Sequence, residues 1–178
     1  MKNTFILDNI SVINFIHLNE DDLLEILKMR NNPKISQWML VDRQISRTEH
    51  FNFIENLKLQ KKQIYFALKH MDMILGVISL TNIDLYNKNA FIGIYANPNL
   101  LQPNNKSKSV GHRIMKVLKY ISFDELSLHI IFAKCLSTNM SALRFYEKEG
   151  FLKCGILPQS IKKADGFIDT ILLSFKKD

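Results

Sequence analysis

Two stretches, 19–32 and 46–58, read as helices, and from residue 63 the pattern gives way to runs of β-branched and aromatic residues. A first strand is expected within residues 5 to 16. "NEDDLLEILKMRNN" then opens with Asn19 and three acids in its first turn, which suit the positive end of a helix dipole, and it ends before Pro33. "SRTEHFNFIENLK" begins with the capping-box pair Ser46 and Glu49, so a second helix follows. The runs "QIYFALK", "MILGVISLTNID" and "AFIGIYA", separated by "HMD" and "YNKN", predict an antiparallel meander. Beyond the polar interruption "NPNLLQPNNKSKS", Val110, Ile114, Val117, Leu118 and Ile121 mark one face of a helix, and "HIIFAKC" reads as a buried strand. A helix over 139–149 stops at Gly150, and strands near 150–156 and 166–175 finish the chain. The fold class is α/β: a mixed sheet in which an antiparallel meander leads into a βαβ unit, with helices on both faces.

A length of 178 residues with 47% hydrophobic content suits a single domain spanning 1–178, since that is enough chain to bury a core without staples. No apolar run is long enough to span a bilayer, and "MKNTFILDNISVINF" lacks the layout of a signal peptide, so a cytoplasmic protein with no membrane partner is expected. Cys135 and Cys154 lie in apolar stretches without metal-like spacing, and both read as reduced core residues with no metal site. The net charge of +7 is spread along the chain and favours anionic ligands, although a composition heavy in Lys, Asn and Ile accounts for part of it. Base-stacking aromatics and a base-reading helix are missing from the pattern, which turns the reading from nucleic acid to a phosphorylated small molecule.

Several residues could carry chemistry. "KSKSVGHR" sits where a strand feeds a helix N-terminus. Its free N–H groups and the small residues Ser109 and Gly111 suit a phosphate, flanked by Lys106, Lys108, His112 and Arg113; a solvated helix start is the plain alternative. Asn139 and Tyr146, seven residues apart, stack on one helical face with Ala142 and Leu143 between them, so the tyrosine is either a core residue with a satisfied hydroxyl or a proton donor. Arg30 and Asn31 end a helix before a proline-forced turn, where they can project into a cleft; complementing the helix dipole explains Arg30 but not Asn31. His50 shares a face with Phe53, Ile54 and Leu57 and is either a packed histidine or a base. Trp38 and Met39 could stack on a sugar or base, or cover a sheet edge. Asn82 and Asp84 could face the cleft or form a turn.

The order of elements, the basic turn at 106–111 and "NMSALRFYEKEGF" resemble the GNAT superfamily of N-acetyltransferases, along essentially the whole chain. The family's turn has Gln or Arg, two variable residues, Gly, a variable residue, then Gly or Ala. Here Lys106 and Ser109 depart from it, whereas Asn139, Ala142, Tyr146, Gly150 and Phe151 all fall at the family spacing. The resemblance implies acetyl-CoA as cofactor, held by Ile94, Tyr95 and Ala96 of the strand, by Lys106, Lys108, Ser109, Val110, Gly111, His112 and Arg113 of the turn, and by Asn139 and Ala142. It further implies direct transfer to an amine, an oxyanion met by a backbone N–H of the strand, and Tyr146 as donor to the departing thiolate. "MRNNPKISQWM" followed by "EHFNFI" is similar to the branch containing the acetyltransferase of pseudaminic acid biosynthesis. That likeness implies a nucleotide-linked amino-sugar bound by Arg30, Asn31, Trp38, Met39 and His50, with His50 or a water ordered by Asn82 taking the amine proton. Ribosomal-protein N-terminal acetyltransferases share much of that pattern and remain the alternative. So does a non-catalytic CoA- or RNA-binding module. The sequence is silent on dimerisation, and a homodimer is admitted.

Overall fold

A computed structural model describes residues 4–41, 43–100 and 106–177, with the backbone alone at 106–109. Eight strands join in one sheet in the order β1-β2-β3-β4-β5-β6-β8-β7. The expected first strand is a hairpin, β1 (Thr4–Leu7) and β2 (Ile10–Asn14), because Asp8 and Asn9 take positive φ of 48° and 61° and turn the chain in two residues. Helix α1 (Glu20–Asn31) is capped by Asn19, whose side chain accepts from the Asp22 N–H at 2.8 Å. A short α2 (Pro33–Ser36), which the pattern did not announce, follows on an Asn32 cap, and α3 (Arg47–Leu59) carries the expected Ser46–Glu49 capping box.

The meander is β3 (Ile64–His70), β4 (Met73–Asp84) and β5 (Asn89–Ala96). Helix α4 (Lys106–Lys119) then runs into a wider π-helical turn at Tyr120–Glu125 and returns to β6 (Ile130–Leu136), the strand parallel to β5. Helix α5 (Met140–Lys148) ends at Gly150, whose φ of 86° only a residue without Cβ takes easily. Strands β7 (Leu152–Lys163) and β8 (Gly166–Lys176) form a longer hairpin than the pattern suggested.

Period-two alternation divides the sheet between two cores. Phe66, Leu68, Ile78, Leu80, Ile92 and Ile131 pack under α4 and α5, and Ala67 and Val77 pack under α1 and α3. Strand β7 lies at the sheet edge and is largely exposed. One expectation therefore fails: Cys135 is buried, but Cys154 on β7 is not.

Candidate active site

The parallel ladder between β5 and β6 runs only from Asn89↔Ile130 to Ile92↔Ala133. Past that point each strand stays with its outer neighbour, β5 as far as Gly76↔Ala96 on β4, and β6 as far as Leu136↔Thr170 on β8. The two strands therefore diverge into a V whose inner edges, Gly93–Ala96 and Lys134–Leu136, share no ladder. Backbone groups on such edges are free to pair with an amide-bearing ligand.

Glycines bring α4 and α5 to this V. A Cβ on Gly76 would lie 2.5 Å from the Tyr95 carbonyl oxygen and 2.6 Å from Ile114 Cδ1, so its absence lets α4 press on the sheet. A Cβ on Gly111 would stand 3.1 Å from the Phe145 ring, which seats α5 against the first turns of α4. Val110 is buried in the core, leaving its backbone for any ligand, and the side chains of Lys106, Lys108 and Ser109 lie outside the described residues. His112 turns away from the V: its Nδ1 sits 2.9 Å from Glu149 Oε1, and Lys119 Nζ donates to the Glu149 carbonyl at 2.7 Å. That pair ties α4 to the end of α5 through the His112 Nδ1 edge. Arg113 is half-buried beside it in sequence.

Asn139 is the N-cap of α5, its Oδ1 accepting from the Ala142 N–H at 3.1 Å. Its amide N–H groups remain for a ligand. Tyr146 is 6% exposed, with its ring edge-on to Phe151 at 5.1 Å. Burial raises its hydroxyl pKa well beyond the ordinary value, and the nearby Cys135 thiol adds to the rise. Cys135 is itself pushed up to about 11 by burial. A protonated phenol and a protonated thiol therefore lie in the same core cluster, the thiol on the β6 edge of the V.

On the opposite face, α1 ends above β5. The Arg30 guanidinium donates to the Val41 carbonyl and lies near Tyr95, whose hydroxyl burial holds well above its usual pKa. Asn31 does not open to the cleft as expected. Its side chain donates to the Ile45 carbonyl at 2.8 Å and accepts from the Ile45 N–H at 2.9 Å, clamping the entry to α3. Met39 is half-buried, and its carbonyl accepts from Lys163 Nζ at 2.6 Å, which fixes the 37–41 loop to the β7–β8 hairpin. Trp38 and Leu40 are each 40% exposed on that loop.

His50 is 6% exposed and packs edge-on to Phe51, its Nε2 buried without a hydrogen-bond partner. Burial lowers its pKa, and the backbone at Leu23 works the other way. Leu23 is seven residues from Arg30, about 10 Å along α1, so the imidazole sits toward the far end of that helix. Asn82 is the clearest displacement. It is exposed, with φ 49°, in the irregular stretch between Thr81 and Asp84, past the Thr81↔Phe91 pair and so on the far side of the apex from the opening. Asp84 is a turn residue, accepting from the Asn87 N–H at 2.8 Å.

A family model described as an acetyltransferase (GNAT) domain matches residues 16–172. The chain belongs to the GNAT acetyltransferases. Among its curated relatives, acetyltransferase PseH of Campylobacter jejuni subsp. jejuni serotype O:2 is 34% identical over 142 residues, covering 80% of this chain and 84% of that protein. The PseH of serotype O:23/36 is 33% identical over 143 residues, with the same coverage. The crystal structure of C. jejuni N-acetyltransferase PseH in complex with acetyl coenzyme A matches with a TM-score of 0.70 at 24% identity, covering 95% of this chain and 99% of that one. Spermidine N-acetyltransferase from Vibrio cholerae, in complex with CoA and spermine, reaches 0.78 at 20% identity, covering 96% of each. This GNAT protein is an acetyl-CoA-dependent N-acetyltransferase. Its V-shaped opening, with unpaired strand edges, the Gly111 backbone and protonated Tyr146, fits that cofactor.

Pattern reading did not single out Tyr65, Ser79, Gly93 or Lys163. Ser79, a hydroxyl inside the apolar run "MILGVISL", was the one visible signal among them.

Proposed function

We propose that this GNAT enzyme acetylates the 4-amino group of a UDP-linked amino-dideoxy sugar, of the UDP-4-amino-4,6-dideoxy-N-acetyl-altrosamine type, in pseudaminic acid biosynthesis. The observation that carries the proposal is the 34% identity to a PseH acetyltransferase over 142 residues, 80% of this chain. The exposed Trp38 and the Arg30 guanidinium at the end of α1 suit a base or sugar and a diphosphate. A chain of net charge +7 is better matched to such an anion than to a polycation. Both substrates are cytoplasmic metabolites, and we assign the reaction to that compartment.

Acetyl-CoA supplies an acetyl thioester. The edges of β5 and β6 pair with its amide-bearing arm, the α4 N-terminus receives its pyrophosphate, and the Asn139 amide donates toward the arm while its carbonyl caps α5. A backbone N–H of the β5 edge meets the developing oxyanion. Tyr146 gives its proton to the departing sulfur, for which burial keeps it neutral. His50 does not serve as the base in this reading, because its imidazole is packed between α1 and α3.

Free-thiol release is the test, run with the UDP-linked 4-amino sugar against N-terminal peptides of ribosomal proteins and against spermidine. Turnover on the sugar at a kcat/KM at least about a hundredfold above the other amines is expected. Preference for a peptide would move the acceptor to protein N-termini and leave the cofactor site as described.

A further inference from the structure

The amine that attacks the thioester must be held with its lone pair forward, and the apex of the V carries a residue built for that. β5 leaves the parallel ladder after Ile92, so Gly93 is its first residue inside the V. Ser79 on β4 pairs directly with Gly93, and a Cβ on Gly93 would stand 2.5 Å from Ser79 Oγ. The hydroxyl thus occupies the space that any side chain at 93 would fill, leaning over the glycine toward the apex. It does so on the face covered by α1 and α3, where Arg30 and the Trp38 loop lie. Ser79 is 8% exposed, one of few buried polar residues among the described residues.

On its other side Ser79 pairs with Tyr65 of β3. The Tyr65 ring is fixed edge-on to Phe53 at 5.0 Å and tilted against Phe15 at 5.6 Å. Burial raises its pKa while the Ser79 hydroxyl, as a donor toward the phenol oxygen, works the other way. Three strands therefore present a row across one face: a phenol, a hydroxyl and a bare glycine.

We propose that Ser79 binds the acceptor amine, its Oγ accepting an N–H so that the lone pair points at the acetyl carbonyl, and that Tyr65 positions Ser79 by accepting a hydrogen bond from its hydroxyl. The proposal rests on the acetyl-transfer reading above but not on the identity of the amine. The amine arrives neutral. The C–N bond forms as the C–S bond breaks, Tyr146 gives its proton to sulfur, and the nitrogen sheds its extra proton to water, from which Tyr146 is reprotonated. Ser79 holds one N–H throughout and neither gains nor loses a proton.

Two measurements decide the matter. On whichever amine of the panel the wild type turns over, Ser79→Ala should lower kcat/KM about 10- to 100-fold with acetyl-CoA affinity unchanged, and Tyr65→Phe should give a smaller loss of the same kind. A merely structural role would instead lower the melting temperature and the acetyl-CoA affinity together. The second measurement needs no acceptor. Gly93→Ala alone should lower the melting temperature through its clash with Ser79 Oγ, and adding Ser79→Ala should restore most of the loss, because the Ser79 Cβ stands an ordinary 3.9 Å from the new methyl. Full activity of Ser79→Ala on the acceptor overturns the proposal. So does a Gly93→Ala defect that Ser79→Ala leaves untouched. Wild-type turnover of peptide instead of sugar overturns only the acceptor assignment.

Discussion

Deleting one oxygen at Tyr146 separates catalysis from packing. In Tyr146→Phe the ring, 6% exposed and edge-on to Phe145 and Phe151, keeps its apolar contacts. The hydroxyl alone contributes at most about 1 kcal/mol to stability. At this chain length that shifts the melting temperature by roughly 2–4 °C. Loss of a proton donor is larger, about 10²- to 10⁴-fold in kcat, which is ~3–5 kcal/mol of transition-state stabilisation. Single-turnover thiol release and calorimetric titration of acetyl-CoA would read the two effects apart. A 100-fold fall in kcat with unchanged affinity is expected. The pH profile adds a sign. The active form is the neutral phenol and burial raises its pKa, so the wild type should hold its rate up to pH 10, the ordinary tyrosine value of about 10 marking where an exposed phenol would begin to fail. A Phe variant retaining more than half of kcat would refute the donor role.

Three further outcomes can be measured. His50 has a folded pKa below its unfolded value, so its contribution to stability is complete above about pH 6.5 and falls as the pH drops and the unfolded chain takes up the proton. Urea melts of the native protein should lose stability between pH 7 and 5, and His50→Gln should lose less; parallel losses would show that His50 is not responsible. Lys163→Ala removes the donor to the Gln37 and Met39 carbonyls and should raise the acceptor KM several-fold with the acetyl-CoA KM constant, whereas an equal change in both would contradict the assignment of the 37–41 loop to the acceptor. Edge strand β7, with Leu152 74% and Ile156 48% exposed, offers an unpaired ladder to a second copy. Light scattering is expected to give a dimer that Ile156→Lys converts to monomer, and a monomeric wild type would remove that reading.

Helices and strands were legible because their signals are local. Capping residues at 19 and 46 and the alternation through 63–96 set each element by itself. Two features escaped for a shared reason, in that each depends on a partner distant in sequence. Asn31 reads as a free polar residue until Ile45 is brought beside it, and Ser79 reads as an interruption until Gly93 lies across from it. Asn82 went the other way: a polar residue at a strand end implies a cleft only if that end of the sheet opens, and here the opposite end does. Asn139 was legible in place but not in function, since spacing cannot distinguish a helix cap from a ligand donor and the folded chain uses its carbonyl as a cap.

The Lys163 bridge joins the C-terminal hairpin to the connection between α2 and α3, so the loop proposed to meet the acceptor is held by two segments far apart in sequence, while the V and its helices come from the middle. Insertions, deletions or substitutions in the first 60 residues can then be offset by changes at the tip of the β7–β8 hairpin, around Lys163, without disturbing the acetyl-donor side. Acceptor preference can drift at constant chemistry, and a graft that moves only one of these segments between relatives should yield an enzyme that binds its donor but has lost its choice of amine.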